Sequence, residues 1–346
     1  MPIQSLTKWL ALFGLAFFIS ACGPSHTPPE AVRLAGSTMG TFYHITLVVD
    51  NPLQDTAALQ KQIDQRLELV NDQMSTYRQD SELSRFNQYQ GLQPFTVSAA
   101  TGEVVKEALR LGEQTKGALD VTIGPLVNLW GFGPQARPEE TPTAAEIAEA
   151  KARMGYQQLT VTAAHSLQKS AVDLYVDLSA IAKGYGVDSV ADLLDSLGYR
   201  NYLVEVGGEL RTRGHNLQGN KWRIAVEKPD TQSRMVQRII EPGDNAVATS
   251  GDYRNYFEDG GIRYSHTIDP ETGHPINHRL VSATVIASSC MTADGLATAL
   301  MVMGPEKGRL FAEQHQLPVL MIVKTDDGFV EYTSPNFEQY LASQGS

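Results

Sequence analysis

The sequence predicts an α+β fold, and three observations carry that expectation. Strand-like and helix-like segments are mixed along the chain. They do not follow the strict strand–helix–strand alternation that marks a doubly wound parallel sheet. At 346 residues, 42% hydrophobic and 19% charged, the chain can build its core from apolar side chains, without disulfides or a structural metal.

The N-terminus stands apart from the body. Lys8 precedes the uncharged run Trp9 to Ile19, and Ser20-Ala21-Cys22-Gly23 follows. A positive start, an apolar stretch too short to cross a bilayer and a small-residue cleavage site read as a signal peptide over residues 1–21. Ile19-Ser20-Ala21-Cys22 resembles a lipobox, which would make Cys22 the lipid-bearing first residue of the mature protein. A plain secretory segment with an incidental cysteine has the same composition. Residues 22–33, with Pro24, Pro28 and Pro29, read as a stiff tether, and residues 34–340 as the body. The chain has two cysteines; with Cys22 lipidated, Cys290 has no disulfide partner. Its place after an apolar run fits a buried structural thiol.

Within the body, Thr41 to Val49 is β-rich and partly alternating. Asp55 to Met74 places Leu59, Ile63, Leu67 and Val70 at helical spacing, and Ala99 to Lys116 is a second helix closed by Gly117. An irregular segment with Pro125 and Trp130 and a polar loop from Pro134 to Pro142 precede a short helix, Thr143 to Met154. Val172 to Val176 reads as a strand. Val187 to Leu197 forms one apolar helical face that Gly198 ends, and Asn201 to Val206 is a strand entering the turn Gly207-Gly208. Trp222 to Val226, Ala246 to Thr249, Arg263 to Ile268 and Val281 to Ile286 are further strands. Helices at Ala293 to Met303 and Pro305 to His315 lead to a last strong strand, Val319 to Val323.

The formal net charge is -11, and no Lys/Arg run offsets it. Such a surface repels phosphate backbones, so nucleic acid is excluded as a partner. Ser/His/Asp and Cys/His groupings, zinc spacings and haem motifs are also lacking.

Three glycine-punctuated polar segments carry chemistry. In Asp177 to Asp188 an acid ends an apolar run and Lys183 sits at a helix start, where unpaired N–H groups favour anions. Asp177 as a helix cap and Lys183 in solvent would account for the same residues. Asp294 and Thr298 are four apart on a helix, so carboxylate and hydroxyl share a face. With a backbone carbonyl they would make a hard oxygen site suited to Mg2+. An acid near a helix start beside a packed threonine is the alternative. Gly295, costly inside a helix, implies a close neighbour. Thr249-Ser250-Gly251-Asp252-Tyr253 and Ser265-His266-Thr267-Ile268-Asp269-Pro270 form the third, where His266 is either structural or catalytic.

Together with Gly36-Ser37-Thr38-Met39-Gly40-Thr41, Met74-Ser75-Thr76-Tyr77 and Glu205-Val206-Gly207-Gly208-Glu209, these segments resemble, in order, the FAD:protein FMN transferases, the ApbE family. The similarity runs from about Gly36 to the C-terminal strands. It implies an ApbE-like fold of two interleaved α/β subdomains with the FAD site between them. Met39, Tyr77, Ala118, Leu119, Asp120, Asp177, Lys183 and Ile268 fall where the family holds FAD. Mg2+ would be held by the Ala180 carbonyl, Asp294 and Thr298, and His266 matches the histidine that assists proton removal. The implied reaction moves FMN from FAD to a Thr or Ser hydroxyl within Asp-Gly-x-(Ser/Thr)-Gly-Ala-(Ser/Thr), releasing AMP. Acceptors in this family are subunits of membrane redox complexes such as NADH:quinone reductase. Hydrolysis of FAD by water, or flavin binding without catalysis, is the alternative. The resemblance and the lipobox together imply a periplasmic protein anchored to the outer face of the inner membrane.

Overall fold

The computed structural model describes residues 28–135, 140–162, 165–227, 236–251, 256–259 and 262–342. The expected signal peptide, Cys22 and the start of the tether lie outside them.

The chain opens with two paired strands, β1 (Glu30–Thr38) and β2 (Thr41–Val49). The last residues of the expected tether therefore belong to the sheet, because Glu30 to Arg33 pair with Val49 to Thr46. Helix α1 (Thr56–Met74) follows, capped by the Asp55 carboxylate on the Ala58 N–H, and it buries the four apolar positions foreseen from spacing. Next come α2 (Glu82–Gln88), β3 (Phe95–Thr96), α3 (Ala99–Gln114), α4 (Gly124–Leu129), α5 (Ala144–Ala152), β4 (Leu159–Val161) and β5 (Ser166–Lys169). The second half contains α6 (Ala182–Ser196), β6 (Tyr202–Val206), β7 (Glu209–Arg213), β8 (Ile224–Glu227), β9 (Val236–Ile240) and β10 (Ala246–Gly251). It closes with β11 (Tyr256–Asp259), β12 (Ile262–Ser265), β13 (Leu280–Ala287), α7 (Cys290–Gln314), β14 (Val319–Thr325) and β15 (Gly328–Thr333).

An eight-stranded antiparallel sheet in the order β1-β2-β6-β7-β10-β13-β14-β15 is the frame. Successive side chains on a strand point to opposite faces. On β10 and β13, Ala248, Ala283 and Val285 meet Leu296 and Leu300 of α7, while Val247 and Ile286 pack on the other side with Phe337 and Ile240. Helices α1 and α6 cover the β1-β2-β6 end through Leu59, Ile63, Val187 and Leu194. A smaller three-stranded sheet, β3-β5-β4, sits with α2 and α3 beside this frame. Trp130 after α4 ties in the loop that follows β12, its indole N–H donating to the Gly273 carbonyl at 2.9 Å.

Some expectations change. Val172 to Val176 is extended but pairs with no strand: the Asn87 amide donates to the Val176 carbonyl and accepts from its N–H, both at 2.8 Å. One side chain thus supplies what a ladder would. Helix α6 begins at Ala182, so Lys183 does lie at a helix start, in its first turn, as expected. The two expected C-terminal helices are present and joined at Gly304, whose non-helical backbone, with φ of 75°, breaks the run just before Pro305. Helix α2 and strand β15 had no clear periodicity to reveal them.

Candidate active site

The site forms where α6 and α7 start. Adding a Cβ to Gly184 would bring it within 2.4 Å of the Cys290 carbonyl, so the two helix starts can touch only because this residue is glycine. Asp188, one turn further along α6, grips the start of α7. Its carboxylate accepts from the Ser289 hydroxyl at 2.8 Å and from the N–H groups of Cys290 and Met291 at 3.0 and 2.9 Å. Arg211 of β7 donates to it from the other side at 3.1 Å. A carboxylate on the exposed donors of a helix start is favourable both as a cap and against the dipole. Cys290 is fully buried, as expected of a structural thiol.

That clamp fixes Asp294, which is 1% exposed. Gly184 lies in the first turn of α6, where N–H groups have no partner within the helix, and its N–H donates to Asp294 at 2.9 Å. Ala180 precedes that helix start, so the helix ladder does not use its carbonyl. Thr298, one turn after Asp294, lies 3.2 Å from the Ser250 hydroxyl of β10. Ala180, Asp294 and Thr298 all border one cavity.

Lys183 borders the same cavity. Its ammonium is 2.7 Å from Glu209 and 3.6 Å from Asp294. Two buried carboxylates face one cation, and burial pushes both acids up; Glu209 rises to about 7, with Lys183 pulling it down and Asp294 adding to the rise. The second oxygen of Glu209 is buried without a hydrogen-bond partner among the described residues. An excess negative charge, an orphaned oxygen and hard oxygen donors together suit a divalent cation. Among the described residues no three His, Cys, Asp or Glu side chains converge as a ligand set, so carbonyl and hydroxyl oxygens must complete any such site.

Glu209 was the residue missed. Its signal lay in register: Gly207-Gly208 turns β6 directly into β7, so Glu209 pairs with Val206 and shares the inward face of Val204 and Val206. A charged residue in an apolar alternation at a tight turn marks an inward carboxylate.

A cavity of about 1500 Å³ opens from this centre. Met39, Tyr77, Ala118, Leu119, Asp120, Asp177, Ala180, Lys183, His266, Ile268, Asp294 and Thr298, twelve residues from six separate segments, all line it. Several are committed to shaping its wall. Asp120, whose carboxyl burial raises, accepts from the Thr122 N–H and hydroxyl at 2.8 and 2.6 Å and from the Tyr156 N–H at 3.1 Å. Asp177 is not a helix cap; it closes an Asx turn on the Ser179 N–H and hydroxyl at 2.8 and 2.5 Å. Leu119 and Ile268 are core residues with an edge on the cavity. Met39 turns β1 into β2 with φ of 48°, a left-handed conformation that a side chain this long rarely adopts.

At the mouth, Tyr77 is 66% exposed and its hydroxyl donates to the Phe132 carbonyl at 3.2 Å. The Phe132 ring stands edge-on to the His266 imidazole, centroids 6.4 Å apart. His266 lines the cavity just past the end of β12, before a turn that Trp130 ties down through the Gly273 carbonyl. Phe42, also 66% exposed, adds a second aromatic surface on the lining. The expected close neighbour of Gly295 is real: a Cβ there would meet the Leu111 side chain at 2.7 Å.

These features can be set beside known proteins. The model of the ApbE family matches residues 39–321. The FAD:protein FMN transferase of Vibrio cholerae serotype O1 is 58% identical over 337 residues, covering 97% of this chain and 100% of its own length. That of Haemophilus influenzae is 45% identical over 343 residues, covering 97% of this chain and 98% of its own length. Among solved structures, flavin transferase ApbE from Vibrio cholerae superposes with a TM-score of 0.85 at 60% identity, covering 91% of this chain and 100% of that one. The apo flavinyl transferase ApbE of Pseudomonas stutzeri gives 0.84 at 40% identity, over 92% and 98%. The α+β expectation is thereby borne out. Alike in sequence and in fold along nearly its whole length, the chain belongs to the ApbE family.

Proposed function

We propose that this protein is an FAD:protein FMN transferase, which moves the FMN half of FAD to a Ser or Thr hydroxyl of another protein and releases AMP. The observation that carries the reading is the single cavity in which an oxygen-rich cation site, a paired lysine and a histidine meet below an aromatic mouth. Family membership with relatives of that name supports it.

Asp294, Thr298 and the Ala180 carbonyl would hold a divalent cation, Mg2+, which when bound offsets the charge of a diphosphate and of the departing AMP. Lys183, steered by Glu209, presents an ammonium toward the same charge without collapsing onto Asp294. Asp120 and Asp177, satisfied by their own turns, keep rigid the wall against which FAD lies. The aromatic rings at the mouth offer a face for the isoalloxazine. His266 takes the proton from the acceptor hydroxyl as the oxygen attacks the FMN-side phosphorus, and the AMP phosphate leaves on the opposite side.

The test is to incubate the mature protein, FAD and Mg2+ with an acceptor domain carrying Asp-Gly-x-(Ser/Thr)-Gly-Ala-(Ser/Thr). One added FMN per acceptor by mass is expected, with AMP in equal amount. An unmodified acceptor overturns the reading; AMP formed equally with and without acceptor marks hydrolysis instead. Asp294→Ala should keep the fold and lose turnover, and undiminished turnover would remove the cation from this place.

The acceptor is a subunit of a membrane redox complex in this proposal, and the protein works in the periplasm, held by a lipid on Cys22 at the inner membrane's outer face. No helix of the described residues is long and apolar enough to cross a membrane. The support is the order of charge, apolar run and cysteine at the N-terminus. A Cys22→Ser protein should lose its lipid by mass and leave the membrane fraction; retention there would refute the anchor.

A further inference from the structure

The large sheet is not zipped along its whole width. Strand β10 pairs with β13 over six residues, Ala246 to Gly251, but with β7 only at Ala246 and Val247. Beyond Val247 the two strands part, because β7 begins at Glu209 and the chain before it has turned away through Gly207-Gly208 to join β6. Thr249, Ser250 and Gly251 thus run past the end of β7, and all three line the cavity.

Which backbone groups this leaves can be read from the ladder. In an antiparallel sheet alternate residues direct both their N–H and their C=O to the same neighbour. The Asn245 carbonyl accepts from the Thr212 N–H at 3.0 Å, so odd-numbered residues here face β7. Ala248 and Ser250 then face β13, and Thr249 and Gly251 direct their peptide groups into the gap. No backbone group of β7 lies opposite them. A short row of sheet-edge donors and acceptors therefore opens into the cavity, beside Thr298, which the Ser250 hydroxyl touches at 3.2 Å.

The cavity also has room. Its volume of about 1500 Å³ exceeds the roughly 300–1000 Å³ of ordinary small-molecule pockets. Among the described residues the outer edges of the sheet, β1 and β15, have no further strand beside them, but neither β15 nor the outer side of β1 borders the cation site. The gap at β10 is the edge from which a chain could present a hydroxyl to the centre.

We infer that the acceptor polypeptide docks here in extended form, adding itself as a strand against Thr249 and Gly251 in line with β7. The inference rests on the transferase reading and deepens it. Edge addition draws its affinity from main-chain hydrogen bonds, so it accepts acceptors of differing side chains while fixing how deep the hydroxyl reaches. It commits the occupant to a polypeptide, since free nucleotides and lipids lack the alternating amide pattern.

Two experiments test it, using the full mature chain and the acceptor domain of the transfer assay. Thr249→Pro removes the N–H that faces the gap and spares the ladder to β13, a position where proline is tolerated. Thr249→Val removes the side-chain bond to Thr284 (2.8 Å) and keeps the N–H, so it controls for that loss. The expected result is a rise of about three- to tenfold in the KM for acceptor with proline and little change with valine, kcat being spared in both. Equal KM values in the parent and the proline variant would overturn the inference, as would equal rises in both variants. Independently, amide exchange is read on the parent protein loaded with FAD without divalent ion, so that no turnover occurs. Thr249 and Gly251 should exchange freely with FAD alone and become protected when acceptor is added. Protection by FAD alone, or none with acceptor, overturns the docking mode while the transfer assay still stands.

Discussion

Asp188→Ala is the substitution that most directly tests how the site is held. Asp188 is 8% exposed and accepts from one hydroxyl, two backbone N–H groups and one arginine. Ser289 remains the cap of α7, but removing Asp188 takes a negative charge from the helix start, about 0.3–1 kcal/mol. It also strands the Cys290 and Met291 N–H groups in a dry helix junction, at about 1–3 kcal/mol for the pair together after partial repair by water. Arg211 keeps Asp192 at 3.1 Å and so loses only part of its pairing. The sum is about 2–4 kcal/mol, a large part of the roughly 5–15 kcal/mol by which a domain is stable. At about 2–4 °C per kcal/mol the melting temperature should fall by about 10 °C. Asp188→Asn keeps acceptor oxygen and shape and should lose less than half of that. Urea unfolding, which reads the free energy directly, is the assay. A loss below about 1 kcal/mol for the alanine variant would refute the idea that this carboxylate sustains the α6–α7 junction.

Other outcomes follow from the same geometry. Gly184→Val drives a side chain into the Cys290 carbonyl and should prevent soluble expression or lower the melting temperature steeply; a stable variant would show that the helices can part. Glu209→Gln should weaken Mg2+ binding by about tenfold in calorimetry, because Lys183 would turn toward Asp294; unchanged affinity would assign Glu209 to the fold alone. The same variant reports on pH. Burial raises Glu209 from 4.5 to about 7, so the folded chain keeps a proton that the unfolded chain has released. That contribution is fully present below the unfolded value and is lost as pH climbs through 7, so without divalent ion the parent should lose stability relative to Glu209→Gln between about pH 5 and about pH 8. A difference that is flat with pH would refute the shift.

What the sequence determined by itself were the elements whose burial is written in a period. Helix α1 with Leu59, Ile63, Leu67 and Val70, strand β2 and the Asp294–Thr298 pair on one helical face are local patterns, and the structure keeps them. The family resemblance that ordered motifs carry likewise pointed to twelve residues that line one cavity. The tertiary structure alone decided what these residues do to one another. Nothing in Val172 to Val176 foretold that Asn87, far away in sequence, would take the place of a neighbouring strand. The Lys183–Glu209–Asp294 cluster joins α6, β7 and α7, and no local spacing encodes a distance across three elements. Periodicity records which face of an element is dry; which charges meet there depends on how the elements cross, and that is set by packing over the whole chain.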